Sequence, residues 1–150
     1  MAKKENFYPT FTDVDIQQDI DIFLNQNADK IQNILDFIGV EIVNKAKDKQ
    51  PPESFNDKTG NLRSSIGYSV FLNGKQVSGN FTAVKGGSEG KSIGQSLAKS
   101  IGSLLKGFSL VIVAGMDYAQ EVEARGKDVI SGSLPDKAQL TKDFNFYLNK

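Results

Sequence analysis

Asp57-Lys58-Thr59-Gly60-Asn61-Leu62-Arg63-Ser64-Ser65-Ile66 is the stretch on which the reading of this chain turns. It joins a long amphipathic segment to an apolar-patterned one through a Thr-Gly pair. Gly60 is the residue suited to positive φ where the backbone reverses, and Asp57, Thr59 and Asn61 each carry an oxygen able to satisfy turn or helix-cap amides. Leu62 and Ile66 face inward whether the segment is a helical turn or a strand, since a spacing of four suits one face of either.

Upstream, from Asp13, the pattern is helical. Ile16, Ile20 and Phe23 or Leu24 mark a first segment, and Ile31, Ile34, Leu35, Ile38, Ile42, Val43 and Ala46 mark a longer one. Asn25 to Asn27 separates them, with Asn27 the expected cap of the second. Its end is set by Pro51-Pro52 after the basic turn Lys45, Lys47 and Lys49. Residues 1–12 form an arm with Phe7, Tyr8, Pro9 and Phe11 but no periodicity, either a frayed terminus or a docking segment.

Downstream, Leu62, Ile66, Tyr68, Val70 and Leu72 share one face of an extended segment and Arg63, Ser65, Gly67 and Ser69 the other, the pattern of a half-buried strand. Asn73-Gly74 is a two-residue hairpin signal, with Val77, Phe81 and Ala83 on the returning strand. Ser109 to Ala114, through Leu110, Val111, Ile112 and Val113, reads as a more fully buried third strand. Between them, Ile93, Leu97, Ile101, Leu104 and Leu105 recur at helical spacing opposite Gln95, Lys99, Ser103 and Lys106. A last helix from about Pro135 places Leu140, Phe144 and Tyr147 on one face. These elements predict an α+β fold in residues 13–150: a long N-terminal helix packed on a small, mainly antiparallel sheet, with an inserted amphipathic helix and a C-terminal helix.

Composition restricts the chemistry. The 150 residues contain no Cys and no His, which excludes disulfides, thiolate nucleophiles, His-based triads and most zinc sites. Eighteen basic and eighteen acidic residues cancel, and only Arg63 and Arg125 are arginines, so the global field that drives non-specific nucleic-acid binding is missing. No apolar run reaches signal-peptide or bilayer-spanning length, so the expected site of synthesis and use is cytosol.

The segment Thr59-Gly60-Asn61-Leu62-Arg63-Ser64-Ser65-Ile66 resembles the TGxLRxSI signature of the tail-completion, or head-tail joining, proteins of long-tailed bacteriophages, the gene-product-ten-like family. A second block is similar to that family's Tyr-Ala, Val-Glu, Gly pattern after a strand: Tyr118-Ala119, Val122-Glu123 and Gly126, with Ala124-Arg125 standing where the family usually has one residue. The resemblance implies a non-enzymatic virion component of the phage neck, assembled in the bacterial host cytoplasm. It would form a ring in contact with the tail terminator or tail tube and with head-closure or connector proteins. It implies no catalytic, cofactor or metal residue. The alternative on a similar scaffold is a tail terminator or a minor capsid component. For the contacts, the aromatic arm at Phe7, Tyr8 and Phe11 and the insertion carrying Ile93, Leu97 and Ile101 are the candidates.

Other readings compete at particular residues. Lys85-Gly86-Gly87-Ser88-Glu89-Gly90-Lys91-Ser92 nearly spells a phosphate loop, but Lys85 stands where the first glycine is required, and a nucleotide-binding enzyme needs a parallel core that a hairpin does not supply. Residues 93–108 are cationic and amphipathic, which suits a membrane surface but suits packing on a sheet or partner better. Asp13, Asp15, Asp19 and Asp21 suit a solvated helix start, without the loop spacing of a calcium site. Glu121 and Glu123 could form a carboxylate pair for glycoside chemistry, but in a strand they would share a face as surface charges, and no Trp is present to stack on a sugar. Arg63 can clamp a carboxylate across an interface or tie the turn to Glu123, the internal tie being favoured.

Overall fold

The computed structural model describes Thr10 and residues 12–150, so Phe7, Tyr8 and Phe11 lie outside the described residues. Helix α1 (Asp13–Gln26) opens on a capping box: Thr12 Oγ1 accepts from the Asp15 amide at 3.3 Å, while the Asp15 carboxylate accepts from the Thr12 amide at 2.7 Å. Those hydrogen bonds, the backbone one first, hold the Asp15 carboxyl below its ordinary value. Helix α2 (Ala28–Asp48) follows after one residue. Asn27 sits at the junction as expected, but not as a side-chain cap of α2. With φ −110° and ψ 9° it lacks the extended cap conformation, and its Nδ2 instead donates to Phe23 O at 2.8 Å, closing α1.

On α2 the expected stripe is the buried one: Ile31, Ile34, Ile38, Ile42, Val43 and Ala46 face the core. Each fully buried isoleucine stabilises the fold by about 1.5–3 kcal/mol. Gly39 completes the stripe because the Tyr68 ring lies against it, 2.6 Å from where a Cβ would stand.

The Thr-Gly turn leads into a single helical turn, α3 (Asn61–Ser64), and then into strand β1 (Ile66–Leu72). Strand β2 (Lys75–Asn80) returns from Asn73-Gly74, whose φ values of 51° and 79° are those of a type I′ hairpin turn. Strand β3 (Phe108–Ala114) pairs on the other side, giving a fully antiparallel sheet in the order β2-β1-β3. The chain is α+β, with the sheet held between α2 and helix α4 (Ser88–Gly102).

Several strand expectations are corrected by this layering. Strand β1 is not half-buried: as the central strand it is covered on both faces, with Ile66, Tyr68 and Val70 in the α2-side core and Phe71 in the α4-side core. Strand β2 stops at Asn80, so Phe81 and Ala83 are not part of it. Phe81 turns beneath α4 to join Phe71, Ala98, Val111 and Val113, and its ring fills the space above the Cβ-less Gly67. Strand β3 is an edge strand, and only Val111 and Val113 are buried there.

Helix α4 packs through Gly90, Gly94, Ala98 and Gly102, a row at every fourth position that meets α3 at Gly90 and the sheet beyond it. Close approach requires it. A Cβ on Gly94 would lie 2.4 Å from Ser65 O, and one on Gly102 would lie 2.1 Å from the Phe71 ring. The expected apolar stripe is consequently displaced sideways: Ile93 is half-buried, while Leu97 and Ile101 are exposed.

Helix α5 (Ala119–Ala124) follows β3, which places Glu121 and Glu123 on a helix and corrects the strand expected there. Helix α6 (Lys137–Leu148) starts from Asp136, whose carboxylate accepts from the Gln139 amide at 2.7 Å. Its Phe144, Tyr147 and Leu148 pack against Ile34, Ile38 and Ile42 of α2, while Leu140 stays exposed.

Candidate functional site

The quoted turn is a junction at which several elements are tied. Gly60 takes φ 80°, and its missing Cβ would stand 2.1 Å from Val84 O, so both the backbone angle and the space require glycine. The Asp57 carboxylate accepts from the amides of Gly60 at 3.0 Å and Arg63 at 2.8 Å. The amide of Asn61 donates to Thr59 Oγ1 at 3.3 Å, and Asn61 Oδ1 accepts from the Gly90 amide at 3.2 Å. Ser64 Oγ accepts from the Val84 amide at 2.7 Å, and Ser65 Oγ accepts from the Gly115 amide at 3.1 Å. Leu62 and Ile66 are buried in the core. The turn, the entry to α4 and the exit from β3 are therefore held from this one segment.

Arg63 is an internal tie, but not to Glu123. Its guanidinium donates to the carbonyls of Lys47, of Lys49 at 3.0 Å and of Phe55 at 3.4 Å, and sits 4.8 Å from the centre of the Phe55 ring. It thereby closes the C-terminal end of α2, where unsatisfied carbonyls attract a cation.

Glu123 serves the other block. Its Oε1 accepts from the amides of Val129 at 3.2 Å, Ile130 at 2.9 Å and Ser131 at 2.8 Å, while Glu121 pairs with Arg125 along α5. Burial pushes the Glu123 carboxyl up, but the hydrogen bonds from Ile130, Ser131 and Val129 together outweigh it and leave the group below its ordinary value. Ala119 is buried, Val122 packs against the same core cluster as Leu62 and Phe55, Tyr118 is exposed, and Gly126 takes φ 80°. Both blocks thus border one core. A lowered folded-state value means that the Glu123 contribution is complete above the ordinary glutamate range and disappears as pH falls through the folded value. Glu123→Gln is expected to cost about 2 kcal/mol at neutral pH, discounted for partial exposure, and to flatten the acid limb of melting temperature against pH. An acid limb identical to that of the parent would contradict this.

The glycine-rich loop is engaged within the chain. The amides of Gly87, Ser88 and Lys91 donate to the carbonyls of Val84, Gly86 and Gly87, and that of Gly90 to Asn61 Oδ1. A phosphate loop would leave such amides pointing at its ligand. The sheet beside it is antiparallel throughout.

A cleft of about 490 Å³ opens between the C-terminal half of α2, the turn and the segment after β2. Val40, Pro51 and Val84 supply apolar lining, and Lys47, Arg63 and Lys85 supply positive charge. Lys47 Nζ donates to Thr82 O at 3.0 Å, and Lys85 Nζ to Asp57 O at 3.3 Å. Burial, with Arg63 and Lys91 nearby, holds the Lys47 ammonium below its ordinary value. On the cleft's inner wall, burial and then Asp36 push the Tyr68 hydroxyl up to about 12. Sequence reading missed this cleft, because its cations come from segments far apart in the chain and match no spacing pattern.

Two apolar surfaces remain uncovered among the described residues. No residue of α1 is buried, and Ile16, Ile20 and Phe23 lie exposed along it. The second is the flank of α4 at Leu97 and Ile101, continued by Leu104, which is 83% exposed. No helix among the described residues is long and apolar enough to cross a membrane. No family model, curated protein or solved structure matches the chain.

Proposed function

We propose that this chain is a structural virion protein of a tailed phage or prophage, completing the tail and joining it to the head-tail connector as a ring-forming subunit. The carrying observation is the division of labour among its residues. The polar groups of the Thr59–Ile66 segment are engaged inside the fold, whereas α1 presents an apolar face with nothing buried. A fourteen-residue helix standing in water is marginal on propensity alone, so its stable use is against another surface. The resemblance of both sequence blocks to the tail-completion family supplies the biological setting, and a ring supplies a physical one: each subunit needs two unlike contact surfaces related by a rotation that closes. Removing the gene from the phage or prophage that carries it tests the reading. Electron microscopy of the lysate is the readout, and expression of the chain in trans the control.

A further inference from the structure

We infer that the cationic cleft beside the turn receives the first half of α1 from a second copy of this chain, through Ile16 and Ile20 with Asp13 and Asp19. This rests on the assembly reading above and names the surfaces that carry it.

The two sides match in shape and charge. Helix α1 carries Asp13, Asp15, Asp19 and Asp21 and no basic residue. On a helix with 3.6 residues per turn, Ile16 and Ile20 lie one above the other, with Asp13 a turn before them on the same face and Asp19 beside them. Ile16 is 43% and Ile20 46% exposed, so neither is buried among the described residues. The cleft offers apolar lining at Val40, Pro51 and Val84, and a volume of about 490 Å³ suited to a few side chains. Among the described residues, Lys47, Arg63 and Lys85 there donate only to carbonyl oxygens, and none forms an ion pair with a carboxylate. Of the acids in the lining, the Asp57 carboxylate is held by two amides and Asp48 is exposed at the rim. The partly desolvated Lys47 gains most from an added carboxylate, because an opposite charge restores what burial removes.

The helix does not occupy its own cleft: none of the residues lining the cleft belongs to α1. Phe23 and Leu24 line an apolar groove at the start of α2 together with Ile31, Leu35, Phe144 and Leu148, and Phe23 is still half exposed there. The cleft lies along the second half of α2, about 18–30 Å further on at 1.5 Å per residue. One end of a subunit is therefore complementary to the other end of the next. Such a contact is heterologous, and it builds a ring or a filament according to its rotation.

Charge exchange in the full-length chain tests the contact. Asp13→Lys with Asp19→Lys makes one variant, which leaves the capping box of Thr12 and Asp15 in place, and Lys47→Glu with Lys85→Glu makes a second. Each alone sets like charges against each other and is expected to weaken self-association at least about tenfold in sedimentation velocity across a concentration series. Mixed in equal amounts, the basic α1 of the first meets the acidic cleft of the second, and the acidic α1 of the second meets the basic cleft of the first. Assembly should return to the parent level. Circular dichroism melts of both variants guard against loss of fold. If a variant is unfolded, the single changes Asp19→Lys and Lys85→Glu are used in its place. Self-association unchanged in either variant, a mixture that does not assemble, or a parent that stays monomeric at every concentration would each overturn the inference. None of these would touch the tail-joining reading, which is decided in the virion.

Discussion

Gly94→Val is expected to lower the stability of the chain by about 3 kcal/mol or more, read as a shift of the urea midpoint without a change of slope. At Gly94 the backbones of α4 and the β1 entry come together: an added Cβ would stand 2.4 Å from Ser65 O and 2.8 Å from the Phe81 ring, and a branched side chain has no direction free of both. A carbonyl fixed by the turn cannot yield as a flexible side chain would. The response open to the molecule is to lift α4 from the sheet, which uncovers Phe71, Phe81, Val111 and Val113 together. Ser92→Ala, on the exposed side of the same helix, should stay within about 0.5 kcal/mol of the parent. Equal stability of Gly94→Val and parent would show that α4 does not pack through its small residues.

Arg63→Ala is expected to cost about 3 kcal/mol, because a half-buried cation that donates to the carbonyls of Lys47, Lys49 and Phe55 is lost and those acceptors are left at the end of α2. The stacking on Phe55 goes with it. Arg63→Lys should recover only part of the loss, since an ammonium is compact and cannot present the planar fork that reaches several carbonyls at once. Chemical unfolding of the three proteins at one pH checks the order. Full recovery by lysine would mean that charge alone matters, and that the tie between the turn and α2 is not the one described.

The fold was largely legible in the sequence. The stripe from Ile31 to Ala46 needed no context beyond its period, and Asn73-Gly74 announced a turn whose φ values only a few residue types adopt readily. The errors have a common cause: a pattern of apolar residues locates a face, and the partner decides how that face is used. Ser65 and Gly67 read as the wet side of the segment, yet α4 comes up against Ser65 at Gly94 and the Phe81 ring covers Gly67 beneath that helix. Leu97 and Ile101 read as the stripe of α4, but glycine carries no hydrophobic signal, so the row that touches the sheet was invisible to a hydrophobic period. Glu123 reads as a surface charge because the amides it gathers lie 6–8 residues on, at the entry to a short 3-10 turn over residues 131–133 that no residue pattern announces. Arg63 is an internal tie, as its place beside the turn suggests, but its acceptors are backbone carbonyls at a helix end, which leave no mark in side-chain identities and so do not point away from Glu123.

Electron microscopy of a lysate from a phage or prophage lacking this gene tests the central claim most directly. The account expects separate filled heads and tails that fail to join, with whole particles restored when the chain is supplied in trans. Normal, infectious particles formed without the chain would contradict it.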